Sequence, residues 1–466
     1  MIPTFPKPIA NKGISAYFTS LVLVSLIYYR HIMGIEYILL GIMWVSGFFL
    51  LSANCSAKWE RIDSKTFAKN VFFVALALRV AWMLFSYFFY KAKTGVPFEP
   101  GAADSMGYHD LACYLSQESW QFAFRYWGNL VGVSDTGYAF WLTLLYKIFG
   151  PSIITARFVK SVLSAVTCLL IYKLSSRSFG EQVGRMAALF SVFMPNLIIY
   201  CGLHLKETEM IFLIVAFLDR SDYLIRTRHY NVVTIALPLL LGLSLFFFRT
   251  VLGAVAFVSL FAGLVFTSAK LIGRKKRIML ICLGVLAVLT FAGGTIATEV
   301  EGYWETGTEN QDKKIEYRTI RGAKWAKYAV GGVLAPMEFF MPMSTMIDTG
   351  QDNQMILHGG NFIKNFMGIF VLIALVALIF REKNIRDVSL IVSFLVGYLG
   401  VIALSGYGNA ERFLLPAVPC LLMLTAYGIS RLNIKNIKWV KYWYVVVVVM
   451  EVSWAFFKLG SRGLIM

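Results

Sequence analysis

Four short stretches of this 466-residue chain carry side chains that could take a proton or hold an anion. The first is Pro97-Phe98-Glu99-Pro100-Gly101, followed by Asp104-Ser105-Met106-Gly107-Tyr108-His109-Asp110-Leu111-Ala112. A carboxylate in a Gly-containing turn leading into a helix can serve as a general base, or Asp104 can simply cap that helix through its first amides. The second holds His204, Lys206 and Glu207 ahead of an apolar run, where a carboxylate also suits the helix N-terminus electrostatically. In the third, Arg249-Thr250 sits between two apolar runs with almost no loop, so the guanidinium needs an anionic partner or must snorkel. The fourth contains Gly406, Tyr407, Gly408, Asn409, Glu411 and Arg412. Acids and bases thus converge on successive turns, where a carboxylate can take a proton and a cation can hold an anion.

Weaker signals surround these four. Segment 298–360 turns from acidic (Glu299, Glu301, Glu305, Glu309, Asp312) to basic (Lys313, Lys314, Arg318, Arg321, Lys324, Lys327). The interleaved Ile315, Tyr317, Ile320, Trp325 and Tyr328 give an amphipathic pattern that would carry Arg318 and Arg321 to phosphate level, for headgroup anchoring or for a substrate phosphate. Asp348, Asp352 and His358 follow without a recognisable spacing. Arg79 falls within an apolar run, which makes it either a functional-site candidate or a residue nearer the inner face. Walker A, dinucleotide, HExxH and GxSxG patterns are absent from the sequence, which removes any visible basis for ATP hydrolysis or serine-hydrolase chemistry.

Membrane helices must position these residues. The chain is 58% hydrophobic and 15% charged, with a mean hydropathy of +0.66, whereas soluble domains carry about 25% charged residues. Apolar runs long enough to cross a hydrocarbon core fall near 14–29, 35–52, 70–90, 153–174, 183–200, 207–223 and 232–248. Others fall near 251–271, 278–297, 361–380, 388–404, 413–429 and 442–457, giving about thirteen spans of an all-α bundle. Lys and Arg fill alternate short loops (Lys58 to Lys69, Lys173 to Arg185, Arg220 to Arg228, Arg274 to Arg277, Arg381 to Arg386, Arg431 to Lys441), which assigns those loops to the cytoplasm and 91–152 and 298–360 to the exterior. The net charge of +18 therefore reflects topology and anionic lipid rather than nucleic acid. Stretch 136–149 is too short to span and reads as an interfacial helix with Tyr138, Trp141 and Tyr146 at headgroup level. The six cysteines define neither a disulfide framework nor a metal pair, and run 14–29 reads as an uncleaved anchor.

Several of these stretches occur in an order that resembles the type-C glycosyltransferase (GT-C) superfamily, closest to its bacterial protein-mannosyltransferase-like and aminoarabinose-transferase-like branches. The residues concerned are Arg79-Val80-Ala81-Trp82, the Asp-bearing loop, Gly137-Tyr138-Ala139-Phe140-Trp141, Leu144-Leu145-Tyr146-Lys147-Ile148-Phe149-Gly150 and Ala156-Arg157. The order continues through 175–180, Leu205-Lys206-Glu207-Thr208 and Arg412-Phe413-Leu414-Leu415-Pro416-Ala417-Val418-Pro419, covering about 70–430. The resemblance implies a polyprenyl-phosphate sugar donor, a hydroxyl acceptor on lipid, glycan or protein, and a bacterial inner membrane with the site facing the periplasm. It makes Asp104 the base. The family's paired acid is Asp104-Ser105 here, so a second acid comes from Glu207 or Asp110. Arg249, Lys206 and Arg412 would bind phosphate, with Arg318 and Arg321 in reserve, and Tyr108, His109, Asp110 and His204 would complete the substrate site. Relatives differ in needing a divalent metal; no ligand set is visible and no other cofactor is implied. The expected organisation is two extra N-terminal helices (1–69), a catalytic core (70–297), an outer loop (298–360) and C-terminal helices (361–466). A lipid-linked oligosaccharide polymerase or ligase, and a transporter or flippase, remain alternatives.

Overall fold

A computed structural model describes residues 3–128, 136–227, 231–267, 272–292, 343–382, 384–405, 411–432 and 438–461, and all regular secondary structure among them is helical. The helices that precede the loops of interest are α1 (Lys7–Ile27), α2 (Ile35–Lys58) and α3 (Ser64–Thr94). A group of three shorter helices follows, α4 (Ala103–Gln117), α5 (Trp120–Gly128) and α6 (Thr136–Phe149). Next come α7 (Ile153–Phe179), α8 (Glu181–Phe193), α9 (Pro195–Ile199), α10 (Glu207–Arg226), α11 (Val232–Phe248), α12 (Thr250–Phe266) and α13 (Arg274–Ala292). After the segment 293–342 the chain continues as α14 (Asp352–Val376), α15 (Ser389–Ser405), α16 (Glu411–Leu414), α17 (Val418–Ser430) and α18 (Val440–Ser461).

Each of the thirteen expected apolar runs coincides with helix over most of its described residues. Among the described residues eight helices are long and apolar enough to cross a membrane, and the bent pair α8–α9 brings the number to nine. The remainder fall short of that standard for physical reasons: α11 and α12 have only 17 residues each, and α10 carries Glu207 and Glu209 at one end and Asp219, Arg220, Asp222 and Arg226 at the other. The chain is thus an all-helical, polytopic membrane protein. Local chemistry sets several boundaries. Asp63 accepts from the Thr66 amide at 2.9 Å to start α3, Ser152 does the same for Thr155 at 3.2 Å in α7, and Asn231 forms a capping box with Thr234. Gly95, at φ 80°, closes α3 in a left-handed conformation.

Three sequence expectations change. Helix α14 begins at Asp352 rather than near 361, so His358 is a buried helical residue, with Nε2 2.8 Å from Tyr17 Oη and Nδ1 2.6 Å from the Met355 carbonyl. Helix α6 has the expected limits, but Tyr138 and Tyr146 are buried inside the protein instead of facing headgroups, because α4 and α7 pack over them.

Arg79 is fully buried and structural. Helices α8 and α9 meet at a 55° break before Pro195, which has no amide hydrogen to offer the carbonyl four residues back, Ser191. Arg79 supplies the donors: Nη2 to Ser191 O at 3.0 Å and Nη1 to Val192 O at 3.2 Å, with Nε bonded to Ser164 Oγ at 2.6 Å.

The charge pattern divides the bundle into two ends. At one, Arg177 bridges Asp219 and Asp222, Arg226 joins Asp222 to the Asp387 carbonyl, Arg431 pairs with Glu382, and Arg185 reaches the Trp59 carbonyl. These contacts tie together the ends of α2, α7, α10, α14 and α17. The starts of α4, α10 and α16 gather at the opposite end.

Candidate active site

Helix α4 starts at Ala103 with Ala102 in the capping position and no side-chain cap, so Asp104 lies inside the first turn and its carboxylate is free of capping duty. Asp104 Oδ2 instead accepts a hydrogen bond from Arg412 Nη1, more than three hundred residues away in sequence. Arg412 is the second residue of α16, and its Nε donates to Glu207 Oε1 at the first turn of α10. One guanidinium therefore bridges two carboxylates contributed by separate elements. The carboxylates differ in environment: the Asp104 side chain is 57% exposed, whereas that of Glu207 is fully buried. Glu207 also lies where the positive end of α10 favours negative charge.

Asp104 and Arg412 line the mouth of a cavity of about 340 Å3. Its wall includes Glu99, Tyr200, Asn361, Glu411 and Trp454. Glu411 is held from behind by two amides: Asn196 Nδ2 donates to Oε1, and Asn361 Nδ2 donates to Oε2 at 2.8 Å. Asn196 follows Pro195 in α9, so the broken helix that Arg79 secures also delivers a polar residue to the cavity. Gly360 makes this approach feasible, since a Cβ there would come within 1.5 Å of Asn196 Oδ1. Glu99 and Glu411 fall in the first and fourth stretches noted from the sequence but received no site role there, and Asn196 and Asn361 received none either. Asn361 offered a local signal of its own, a carboxamide at the start of an apolar run.

Two further cations lie beside the bridge. Lys206 Nζ donates to the Phe248 carbonyl at 3.0 Å, next to Arg249 in the tight α11–α12 turn. Burial, with the positive charge of Arg249 second, pulls the Lys206 ammonium down to about 7. Arg249 stacks over the Phe413 ring at 4.5 Å and its Nη1 donates to Tyr398 Oη at 3.3 Å, which supplies partners for its submerged charge. Tyr108 belongs to the same neighbourhood; burial pushes its phenol up to about 12 despite the opposing charge of Arg412.

The remaining expected site residues are elsewhere. His204 is fully buried, and Tyr146 Oη stands between its Nε2 (3.1 Å) and His109 Nδ1 (2.8 Å). Burial lowers the pKa of both imidazoles, so this is a neutral hydrogen-bond chain beside α4; neither imidazole lines the cavity, although Leu203 and Leu205 on either side of His204 do. Asp110 is exposed on another face of α4 and is not among the cavity-lining residues. Arg318 and Arg321 lie outside the described residues. Buried Lys160 donates to the Leu203 carbonyl at 2.8 Å and pairs with Glu209 at 3.7 Å, fixing the turn before Glu207.

No family model matches the chain, and no curated protein matches it. Solved structures of similar fold exist. One is the oligosaccharyltransferase of Archaeoglobus fulgidus, crystallised with Zn and sulfate, at a TM-score of 0.47 and 11% identity over 83% of this chain and 52% of that one. The chain spans about half the length of that protein, and a likeness of this grade is silent on activity. Among the described residues, no group of three or more His, Cys, Asp and Glu side chains is placed to hold a metal ion.

Proposed function

We propose that this protein is a GT-C-type membrane glycosyltransferase that moves a sugar from a polyprenyl-phosphate carrier to a hydroxyl acceptor at the outer membrane face. The observation that carries this reading is the Asp104–Arg412–Glu207 bridge at the mouth of the cavity. An exposed carboxylate at the rim can reach a water-borne hydroxyl, while the cations beside it lie at the bundle end, where a lipid phosphate resides. In the reaction, the acceptor oxygen forms its bond to the anomeric carbon as the carbon–oxygen bond to phosphate breaks. Asp104 takes the acceptor proton, and the lipid phosphate leaves with the bonding electrons. Arg412, with Lys206 and Arg249 nearby, stabilises the negative charge that develops on that phosphate. Before donor binds, Arg412 is occupied by the two carboxylates; its transfer to phosphate would free Asp104 as acceptor of the proton. A single displacement inverts the anomeric configuration.

The test is transfer of radiolabelled sugar from a panel of polyprenyl-phosphate sugars by membranes containing the wild type or Asp104→Asn. Transfer by the wild type that disappears in the variant, at equal protein level, supports the reading. Transfer retained by Asp104→Asn removes Asp104 as base, and no transfer from any donor favours an oligosaccharide ligase or a transporter.

A further inference from the structure

We propose that the cavity receives an uncharged, hydroxyl-rich ring, a neutral sugar unit recognised through its O–H groups by Glu99 and Glu411, and that it refuses sugars bearing a carboxylate. This rests on the glycosyltransferase reading and adds the substrate class.

Glu99 provides the first observation. It is only 5% exposed and lines the cavity. Its Oε1 accepts from Ser105 Oγ at 2.5 Å, which fixes the carboxylate, while the buried Oε2 accepts no hydrogen bond among the described residues. Fully buried Arg157 lies near Glu99 but donates to the Pro97 carbonyl, at 2.7 Å, and leaves that oxygen unoccupied. A buried carboxylate oxygen without a donor is costly, so its natural complement is a donor on a ligand.

Glu411 is the second. A carboxylate offers about four acceptor positions, and the amides of Asn196 and Asn361 fill only one on each oxygen. The Asn196 amide hydrogens are both engaged, by Glu411 and by Asn361 Oδ1 at 3.3 Å, so it has none left for a ligand. The cations on the wall are engaged as well: Arg412 by Asp104 and Glu207, and Lys458 over the Trp454 ring at 5.2 Å. The wall offers a ligand acceptors at Glu99 and Glu411 and amide groups at Asn353 and Gln354, beside the aromatic surfaces of Tyr200 and Trp454 on which the C–H face of a sugar can rest. Hydroxyl groups complement this arrangement. A ring carboxylate, which has no hydrogen to donate, would set acceptor against acceptor at the unoccupied Glu99 oxygen. The volume of about 340 Å3 sits at the lower end of the roughly 300–1,000 Å3 of small-ligand sites, suiting a sugar unit rather than a long glycan.

The experiment uses the purified full chain in lipid nanodiscs with polyprenyl-phosphate donors carrying a neutral hexose, its uronate, and its single-deoxy analogues. Wild type, Glu99→Gln and Glu411→Gln are compared, each checked for unchanged thermal unfolding. Glu99→Gln retains volume and the Ser105 bond while turning the free acceptor into a donor. The wild type is expected to prefer the hexose over the uronate by about 100-fold or more in kcat/KM. Each variant should lose about 10- to 100-fold on the hexose, yet lose little on the deoxy analogue that lacks the matching hydroxyl. Comparable use of hexose and uronate by the wild type overturns the proposal while leaving the glycosyltransferase reading intact, as do equal losses on hexose and every deoxy analogue. If the wild type turns over none of the donors, both fall. Should one variant fail to fold, the other still carries the comparison.

Discussion

Arg79 Nη2 donates to the Ser191 carbonyl oxygen at 3.0 Å, taking the place of the amide hydrogen that Pro195 lacks. Two helices away from the cavity, this contact sets the angle at which α9 presents Asn196 to Glu411. We predict that Arg79→Leu destabilises the protein by about 2–5 kcal/mol, since the Ser191 and Val192 carbonyls would be left buried without donors. Thermal unfolding in detergent measures this, and a change under about 1 kcal/mol would show that the break holds itself.

The Arg412 bridge should be asymmetric. Arg412→Gln strands the fully buried Glu207, at a predicted cost of about 2–4 kcal/mol, less than the ~3–5 of a wholly buried pair because the Arg412 side chain is 28% exposed. Asp104→Asn should cost less than about 1 kcal/mol, as expected for an exposed partner. Equal destabilisation by the two substitutions would show that Glu207 does not depend on Arg412.

Lys206 gives a pH dependence with a definite sign. Its pKa of about 7 makes it a cation at pH 6 and mostly neutral at pH 8.5. A donor phosphate favours the cation, so the donor KM is predicted to rise across that interval, by about 3- to 10-fold for one charge-assisted contact. Lys206→Arg, charged throughout, should flatten the profile. An unchanged slope in that variant would detach Lys206 from the donor.

Orientation can be measured independently of chemistry. Reporter fusions at residue 275 are predicted to read cytoplasmic and at residue 310 exterior, following the Lys and Arg distribution. The opposite pair of readings would move the site to the cytoplasmic face.

Apolar periodicity made the helices legible, down to the limits of α6, because in a membrane each span must satisfy its own backbone and few other patterns can do so. The turns that hold Asp104, Glu207 and Arg412 were legible too, because charge is rare beside apolar runs and stands out there. Their pairing was not: it joins residues 104, 207 and 412, and no local pattern encodes which turns meet. Glu99 was hidden by sitting in an ordinary Pro-flanked turn. Its free oxygen exists only once Ser105 has bound the other one and Arg157 has been packed nearby. Arg79 looked functional for the same reason it is structural, since a buried charge needs a reason to be there, and a proline break that it touches in space but that lies over a hundred residues away in sequence is invisible locally.

Helix α1 packs against α18, with Thr19 Oγ1 2.5 Å from Tyr444 Oη and Tyr28 Oη donating to the Val452 carbonyl at 3.3 Å, while Tyr17 meets His358 of α14. Helices far apart in sequence are thus neighbours here, α1 being packed both on α2 and on α18. A substitution that loosens α18 would reach α14 through the Tyr17–His358 contact, so the wall that carries Asn361 leans on helices that contribute no acid or cation to the Arg412 bridge.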